Sequence, residues 1–271
     1  MNKAILVLFL TCIPQIFSSV SAQSMQNRYF DHIFSCKFEQ ADSLLQSFEA
    51  YLLPEEKNLL QAFAALHKSE AQKNNSDKYK AEYLNLAKKV FEILRGKKLN
   101  DRQLFYYTAS LGIIIKSKMN NKHYFSVIKD LYNLSSKIEY IIDNEGKNEY
   151  FQLVSGMYHY YAALATEDYP IMRGVFLVLP KGDKTHGLQM LETCSSESNR
   201  FVSVYALYYL ARINHRDEKV FSESNFYFRQ LLAEFPENCF WRSEYIKMLN
   251  YFGYKAAAYA QEKILKVYLC K

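Results

Sequence analysis

An all-α fold assembled from short antiparallel helix pairs is what this sequence predicts, on three observations. Proline and glycine are scarce, at 5 and 8 of 271 residues, so few positions interrupt a helix. Apolar residues recur at i, i+3, i+4 and i+7 over long stretches, the spacing that gathers them on one helical face. No stretch alternates apolar and polar residues over a strand's length between turn signals. The expectation is about twelve helices in about six pairs, joined by the short connections of antiparallel neighbours.

The elements follow in order. Residues 26–35 form a first helix, and residues 38–50 a second that stops before Pro54. A third covers 55–71 and opens on Glu55 and Glu56, where the helix dipole favours acidic groups. The polar run Lys73-Asn74-Asn75-Ser76-Asp77 is a loop. Asp77 is placed to cap a fourth helix over 79–94, which ends at Gly96. Asp101 caps a fifth helix to residue 118, a sixth covers 122–142, and a seventh covers 148–166. Between Pro170 and Gly182 the pattern breaks around Phe176-Leu177-Val178-Leu179. That segment reads as a short apolar helix or ordered loop inserted between regular pairs, and as the place for a hinge. Asp183 caps an eighth helix, Ser198 or Asn199 a ninth, and the last hairpins run to Lys271. No linker rich in Pro, Gly or Ser divides the chain, so residues 23–271 read as one domain.

The most regular unit is Tyr205 to Asn238. Leu210-Ala211 supplies a large-small pair in its first helix. Ser224, Phe228 and Leu231 supply small, large and apolar positions in the second, and Pro236 closes the unit. A small residue at a helix crossing lets two helices approach closely, and a proline cannot continue the second. This unit resembles a tetratricopeptide (TPR) repeat, a helix pair with a period of about 34 residues. Ala41, Leu45 and Phe48, followed by Pro54, are similar to the second helix of such a unit. Gly112 and Gly156, inside predicted helices, fit the small residues of further tight crossings. The resemblance implies a TPR-like α-solenoid, a right-handed superhelical stack of about six antiparallel pairs. With the N-terminus described next, the chain resembles the exported TPR-like proteins of bacteria.

Residues 1–22 read as a cleaved secretory signal peptide. Lys3 is followed by the apolar run from Ala4 to Leu10, and Val20-Ser21-Ala22 precedes Gln23 as a cleavage site would. The predicted location is therefore periplasmic or extracellular, with no transmembrane segment after cleavage. Export also places Cys36, Cys194, Cys239 and Cys270 where disulfides can form. Cys239 and Cys270 would sit at opposite ends of the last two helices, which fold back near Gly253. A disulfide between them and two buried free thiols are both open readings.

Lys and Arg number 34 against 28 Asp and Glu, scattered along helix faces. That balance carries no basic tract of the kind nucleic acids require. No nucleophile elbow, zinc-protease helix, phosphate loop or dinucleotide fingerprint is present. The six histidines are well separated along the chain. No enzyme, no cofactor and no metal site is predicted.

Aromatic residues include 23 Tyr and 19 Phe. In TPR-like stacks the first helices of successive units line a concave face. The resemblance, aligned on Gly112, Gly156 and Ala211, therefore implies a face carrying Tyr106, Lys116, Met157, Tyr160, Tyr208, Arg212 and His215. Aromatic anchors beside cations suit an extended peptide or an acidic group. The same tyrosines would equally fill helix–helix interfaces. The predicted function is a non-enzymatic exported scaffold that binds a protein or peptide of the cell envelope through this face. The alternative is a small-ligand-binding component of an envelope transport system, which would need a closed pocket of roughly 300 Å³ or more.

Overall fold

The computed structural model describes residues 23–121, 123–168 and 179–269. Among them the chain is helical throughout and contains no strand. We number the α-helices in order: α1 (23–34), α2 (Phe38–Phe48), α3 (Pro54–Ala71), α4 (Ser76–Leu94), α5 (Asp101–Asn120), α6 (Tyr124–Asp143), α7 (Glu149–Asp168), α8 (Lys184–Cys194), α9 (Arg200–Arg216), α10 (Phe221–Glu234), α11 (Cys239–Tyr251) and α12 (Lys255–Leu269). The closest packing joins neighbours in sequence: α3 with α4, α7 with α8, α9 with α10 and α11 with α12.

Capping residues set several of the boundaries. Asp183 accepts the His186 N–H at 3.0 Å. Asn199 accepts those of Phe201 and Val202, and Asn238 that of Trp241 at 3.0 Å. Two expected caps are displaced by one residue or more. Asn100, not Asp101, caps α5, because it exchanges hydrogen bonds reciprocally with Gln103. Asp101 is then the first helical residue and ion-pairs with Lys147. Asp77 does not cap α4, which begins at Ser76 and holds Asp77 in its first turn. Gly96 and Gly253 end α4 and α11 with φ of +73° and +83°, conformations that a side chain resists.

The Tyr205–Asn238 unit is a helix pair of the expected construction. Ala211, Ser224, Phe228 and Leu231 are all buried. The Ser224 hydroxyl donates to the Ala211 carbonyl at 2.9 Å, directly across α9 and α10. Ala41, Leu45 and Phe48 are likewise the buried stripe of α2. The two interior glycines part company. At Gly156 in α7, an added Cβ would lie 3.1 Å from Met190 Cβ and 3.2 Å from the Gly187 carbonyl oxygen, so α7 and α8 cross tightly there. At Gly112 in α5 nothing lies within 4 Å, and the residue is exposed. The expected crossing at Gly112 is absent because that face of α5 points to solvent.

The two ends of the array meet. Helix α1 wedges against α3, α9 and α11: Tyr29 donates to the Leu60 carbonyl at 3.0 Å, Asp31 accepts from Arg200 at 2.7 Å, and Asn238 donates to the Phe34 carbonyl at 2.9 Å. The Phe30 and Phe201 rings lie 5.1 Å apart, and Phe34 packs on Phe235 and Trp241. In an open linear stack each repeat touches only its neighbours. Here the apolar face of α1 is buried between early and late helices, which draws the array together into one core.

Residues 1–22, with the predicted signal peptide, and most of the Pro170–Gly182 break lie outside the described residues, as does Cys270 of the predicted Cys239–Cys270 pair. Where the chain resumes, Leu179 is buried and Tyr158 donates to the Pro180 carbonyl at 2.7 Å. Cys36, Cys194 and Cys239 are free thiols. Among the described residues no helix is long and apolar enough to cross a membrane.

Candidate functional site

Helix α9 carries Tyr205, Tyr208, Tyr209 and Arg212, whose spacing of three, four and seven places them on one side. Helix α7 brings Tyr161 to the same place, its ring 6.4 Å from that of Tyr209. Helix α3 adds His67 and Glu70, and α5 adds Lys116. His67 Nε2 lies 3.0 Å from the Tyr205 hydroxyl, and Lys116 Nζ lies 3.9 Å from Glu70. The result is a ring of phenols around two cations and one carboxylate.

Its electrostatics are unusual. Burial drives the Glu70 carboxyl up to about 7; Lys116 and Arg212 pull it down, while Glu244 pushes it further up. Burial holds His67 down to about 3, with Lys116 adding to the effect, so this imidazole is neutral. Burial also acts against the charge on Arg212, but the oxygens of Tyr161, Tyr208, Tyr209 and Asp217 outweigh it and leave the guanidinium's pKa raised. Among the described residues Arg212 makes no hydrogen bond and no ion pair. The Tyr161 hydroxyl is buried and has no hydrogen-bond partner there either. A planar guanidinium beside an unbonded phenol is equipped to receive a carboxylate through charge-assisted hydrogen bonds.

Of the residues expected on a concave face, the structure brings Tyr208 and Arg212 together and sets Lys116 across from them on Glu70. The others are placed elsewhere. Tyr160 is fully buried and donates to Glu218 at 2.5 Å. Tyr106 is buried and accepts from Arg102 at 2.5 Å. Met157 is half-buried against the core. The His215 ring packs on Tyr251 and Phe252. Tyr161, Tyr209 and Glu70 were not expected. The repeated aromatics at 205, 208 and 209 were the available signal for Tyr209; nothing local to α3 marks Glu70.

A second cluster joins residues that the sequence keeps apart. Glu145 lies in the one-turn 3₁₀ helix between α6 and α7, His159 in the middle of α7, and His186 in the first turn of α8. Glu145 Oε1 lies 2.9 Å from His186 Nε2, and Glu145 Oε2 lies 3.6 Å from His159 Nε2. The two imidazole rings stand edge to face with centroids 4.8 Å apart. Glu145 Oε2 and His159 Nδ1 are buried without a hydrogen-bond partner among the described residues. Burial and the neighbouring His186 hold the pKa of His159 below the usual imidazole value, against the pull of Glu145.

The described residues also form a small hollow of about 20 Å³ lined by Phe30, Phe63, Phe105, Tyr106, Tyr150 and Phe201. That is room for about one water, well short of a pocket for a small metabolite.

The chain matches no protein-family model, no curated protein and no solved structure. The residues of these clusters are therefore the basis for a functional reading.

Proposed function

We propose that this chain is a non-enzymatic, exported TPR-like scaffold, and that it binds a protein or peptide segment by an acidic group seated against Arg212. The observation that carries this reading is the Arg212 guanidinium, framed by Tyr161, Tyr208 and Tyr209 and without a carboxylate partner among the described residues. Leaving a half-buried cation without a hydrogen-bonded counter-ion is costly. A partner's carboxylate would remove that cost while the phenol rings cover the aliphatic or aromatic part of the same segment. One pair supports a TPR-like construction, because the small-residue contact of Ala211 with Ser224 is the kind that such pairs use. The basic, apolar N-terminal stretch supports export, which puts the partner in the cell envelope.

A fluorescence-anisotropy screen of acidic peptides, each paired with its amidated or Gln-substituted twin, tests the reading. Peptides with a free carboxylate should bind, and Arg212→Gln should weaken them by roughly tenfold to a hundredfold, as loss of a charge-assisted pair does. Arg95→Gln, at an exposed position just past the end of α4, should leave binding unchanged. Equal binding of acidic and neutral twins, or equal binding by Arg212→Gln, would sink the proposal.

A further inference from the structure

We propose that Glu145, His159 and His186 form a site for a divalent transition-metal ion of the zinc class, with one coordination position left open. Their candidate ligand atoms all lie within 4.8 Å of one another. Tetrahedral coordination at bond lengths near 2.1 Å requires ligand atoms roughly 3.4 Å apart. Glu145 Oε1 lies 2.9 Å from His186 Nε2 and Oε2 lies 3.6 Å from His159 Nε2, on either side of that value. Closing the set from within 4.8 Å to that spacing would take side-chain rotation about an ion.

The donor chemistry selects the metal class. Two imidazole nitrogens and one carboxylate suit zinc and its first-row neighbours, whereas magnesium and calcium prefer all-oxygen shells. Three protein ligands leave a fourth position for water or for a donor from another molecule.

The polar bookkeeping points the same way. Two imidazoles converge on one carboxylate, yet only His186 reaches it within hydrogen-bond distance. Glu145 Oε2 is left buried and unbonded, directed at His159 Nε2. An unsatisfied buried carboxylate oxygen is destabilising; a cation between the rings would engage it.

The frame is rigid. His159 stands one helical turn from Gly156, and His186 adjoins Gly187. At Gly187 an added Cβ would lie 2.7 Å from both the Gly156 carbonyl oxygen and the Tyr160 amide nitrogen. The α7–α8 crossing therefore fixes the spacing of the two rings. Asp183 holds the backbone at His186 by capping α8, and its charge acts on both imidazoles. The site rests on other residues than the Arg212 face and does not depend on that reading.

The test uses the untagged chain, stripped with a chelator and titrated calorimetrically with zinc chloride, then with cobalt chloride for its visible absorption. One equivalent of zinc should bind, cobalt should give the intense bands of a low-symmetry, four-coordinate ion, and magnesium should not bind. Saturating zinc should raise the melting temperature by about 5 to 10 °C, as a ligand at a hundred times its Kd does for a chain of this size. His186→Asn is the primary variant, because its side chain, 43% exposed, is the most accessible of the three. With a metal-free melting temperature equal to that of the parent, it should bind zinc at least tenfold more weakly, as should Glu145→Gln. His32→Asn, outside the cluster, should bind like the parent. Absence of saturable binding by the parent chain, magnesium binding as tight as zinc, or undiminished binding by His186→Asn would each overturn the assignment.

Discussion

Replacing Gly187 by alanine should destabilise the protein, and replacing Gly112 by alanine should stabilise it, although both glycines lie inside helices. The opposition follows from what a methyl group would meet. At Gly187 it would lie 2.7 Å from the Gly156 carbonyl oxygen, 2.7 Å from the Tyr160 amide nitrogen and 3.1 Å from Tyr160 Cβ. Two of these are backbone atoms of α7, so no rotamer change relieves the contact; the helices must separate. Forcing a methyl into such a crossing costs typically 1–3 kcal/mol, and the rigid neighbours put this case near about 3. Alanine returns about 1 kcal/mol of helix propensity, leaving a net loss of about 2 kcal/mol. Gly112 has nothing within 4 Å, so only the propensity gain of about 1 kcal/mol remains there. At roughly 2–4 °C per kcal/mol for a chain of this length, Gly187→Ala should lower the melting temperature by about 4 to 8 °C. Gly112→Ala should raise it by about 2 to 4 °C. Differential scanning calorimetry of the metal-free protein, with circular dichroism to confirm equal helicity, reads both. A Gly187→Ala protein as stable as the parent would refute the close α7–α8 crossing, and with it the frame that holds His159 to His186.

Three further outcomes follow from the charged and sulfur groups. Burial raises the folded-state pKa of Glu70 to about 7 from 4.5. The stability this group gives by staying protonated is present below about pH 4.5 and is lost as pH rises to 7. Glu70→Gln should therefore match the parent in urea melts at pH 4 and exceed it at pH 8 by at most about 3 kcal/mol; an equal difference at both pH values would refute the burial argument. His67, held down to about 3 from 6.5, acts oppositely. Its contribution is present above about pH 6.5 and fades as pH falls toward 3, so His67→Gln should flatten the acid limb of the stability profile. The thiols of Cys36 and Cys194 are each pushed up to about 12 by burial, so at pH 8 iodoacetamide should label them far more slowly than in urea-unfolded chain. Mass spectrometry of timed quenches would show it, and equal labelling rates in the two states would contradict the packing.

What the sequence disclosed, and what it did not, divides by the range of the interaction responsible. Asp183 was readable as a cap, and the next cap as Ser198 or Asn199, because a cap bonds within three residues of itself; Asn199 is the one that does so. Ala211 and Ser224 were readable because two helices joined by a short turn must cross where small residues permit. The cap of α5 moved from Asp101 to Asn100 through a contest between two good capping residues, won by the one whose register supplies Gln103 for the reciprocal bond. Gly112 misled because a glycine inside a helix has the same composition signal whether a neighbour crosses it or not. Tyr208 and Arg212 were readable because they share one helix face, but the partners brought from other helices were not, for a geometric reason. Glu145 and His186 are 41 residues apart yet bonded, and His67 and Tyr205 are 138 apart yet bonded. Each pair depends on how non-adjacent elements settle, which no local spacing encodes. The same reasoning explains the meeting of the chain's ends. In helix α1, Tyr29, Ile33 and Phe34 are wholly buried. Burying three large side chains is worth several kcal/mol, which holds α1 in the apolar seam between α3, α9 and α11. That seam positions Tyr205 against His67 and so sets the floor beside Glu70 and Arg212. The placement of the candidate binding face thus follows from the first helix of the described chain, far from the residues that line it.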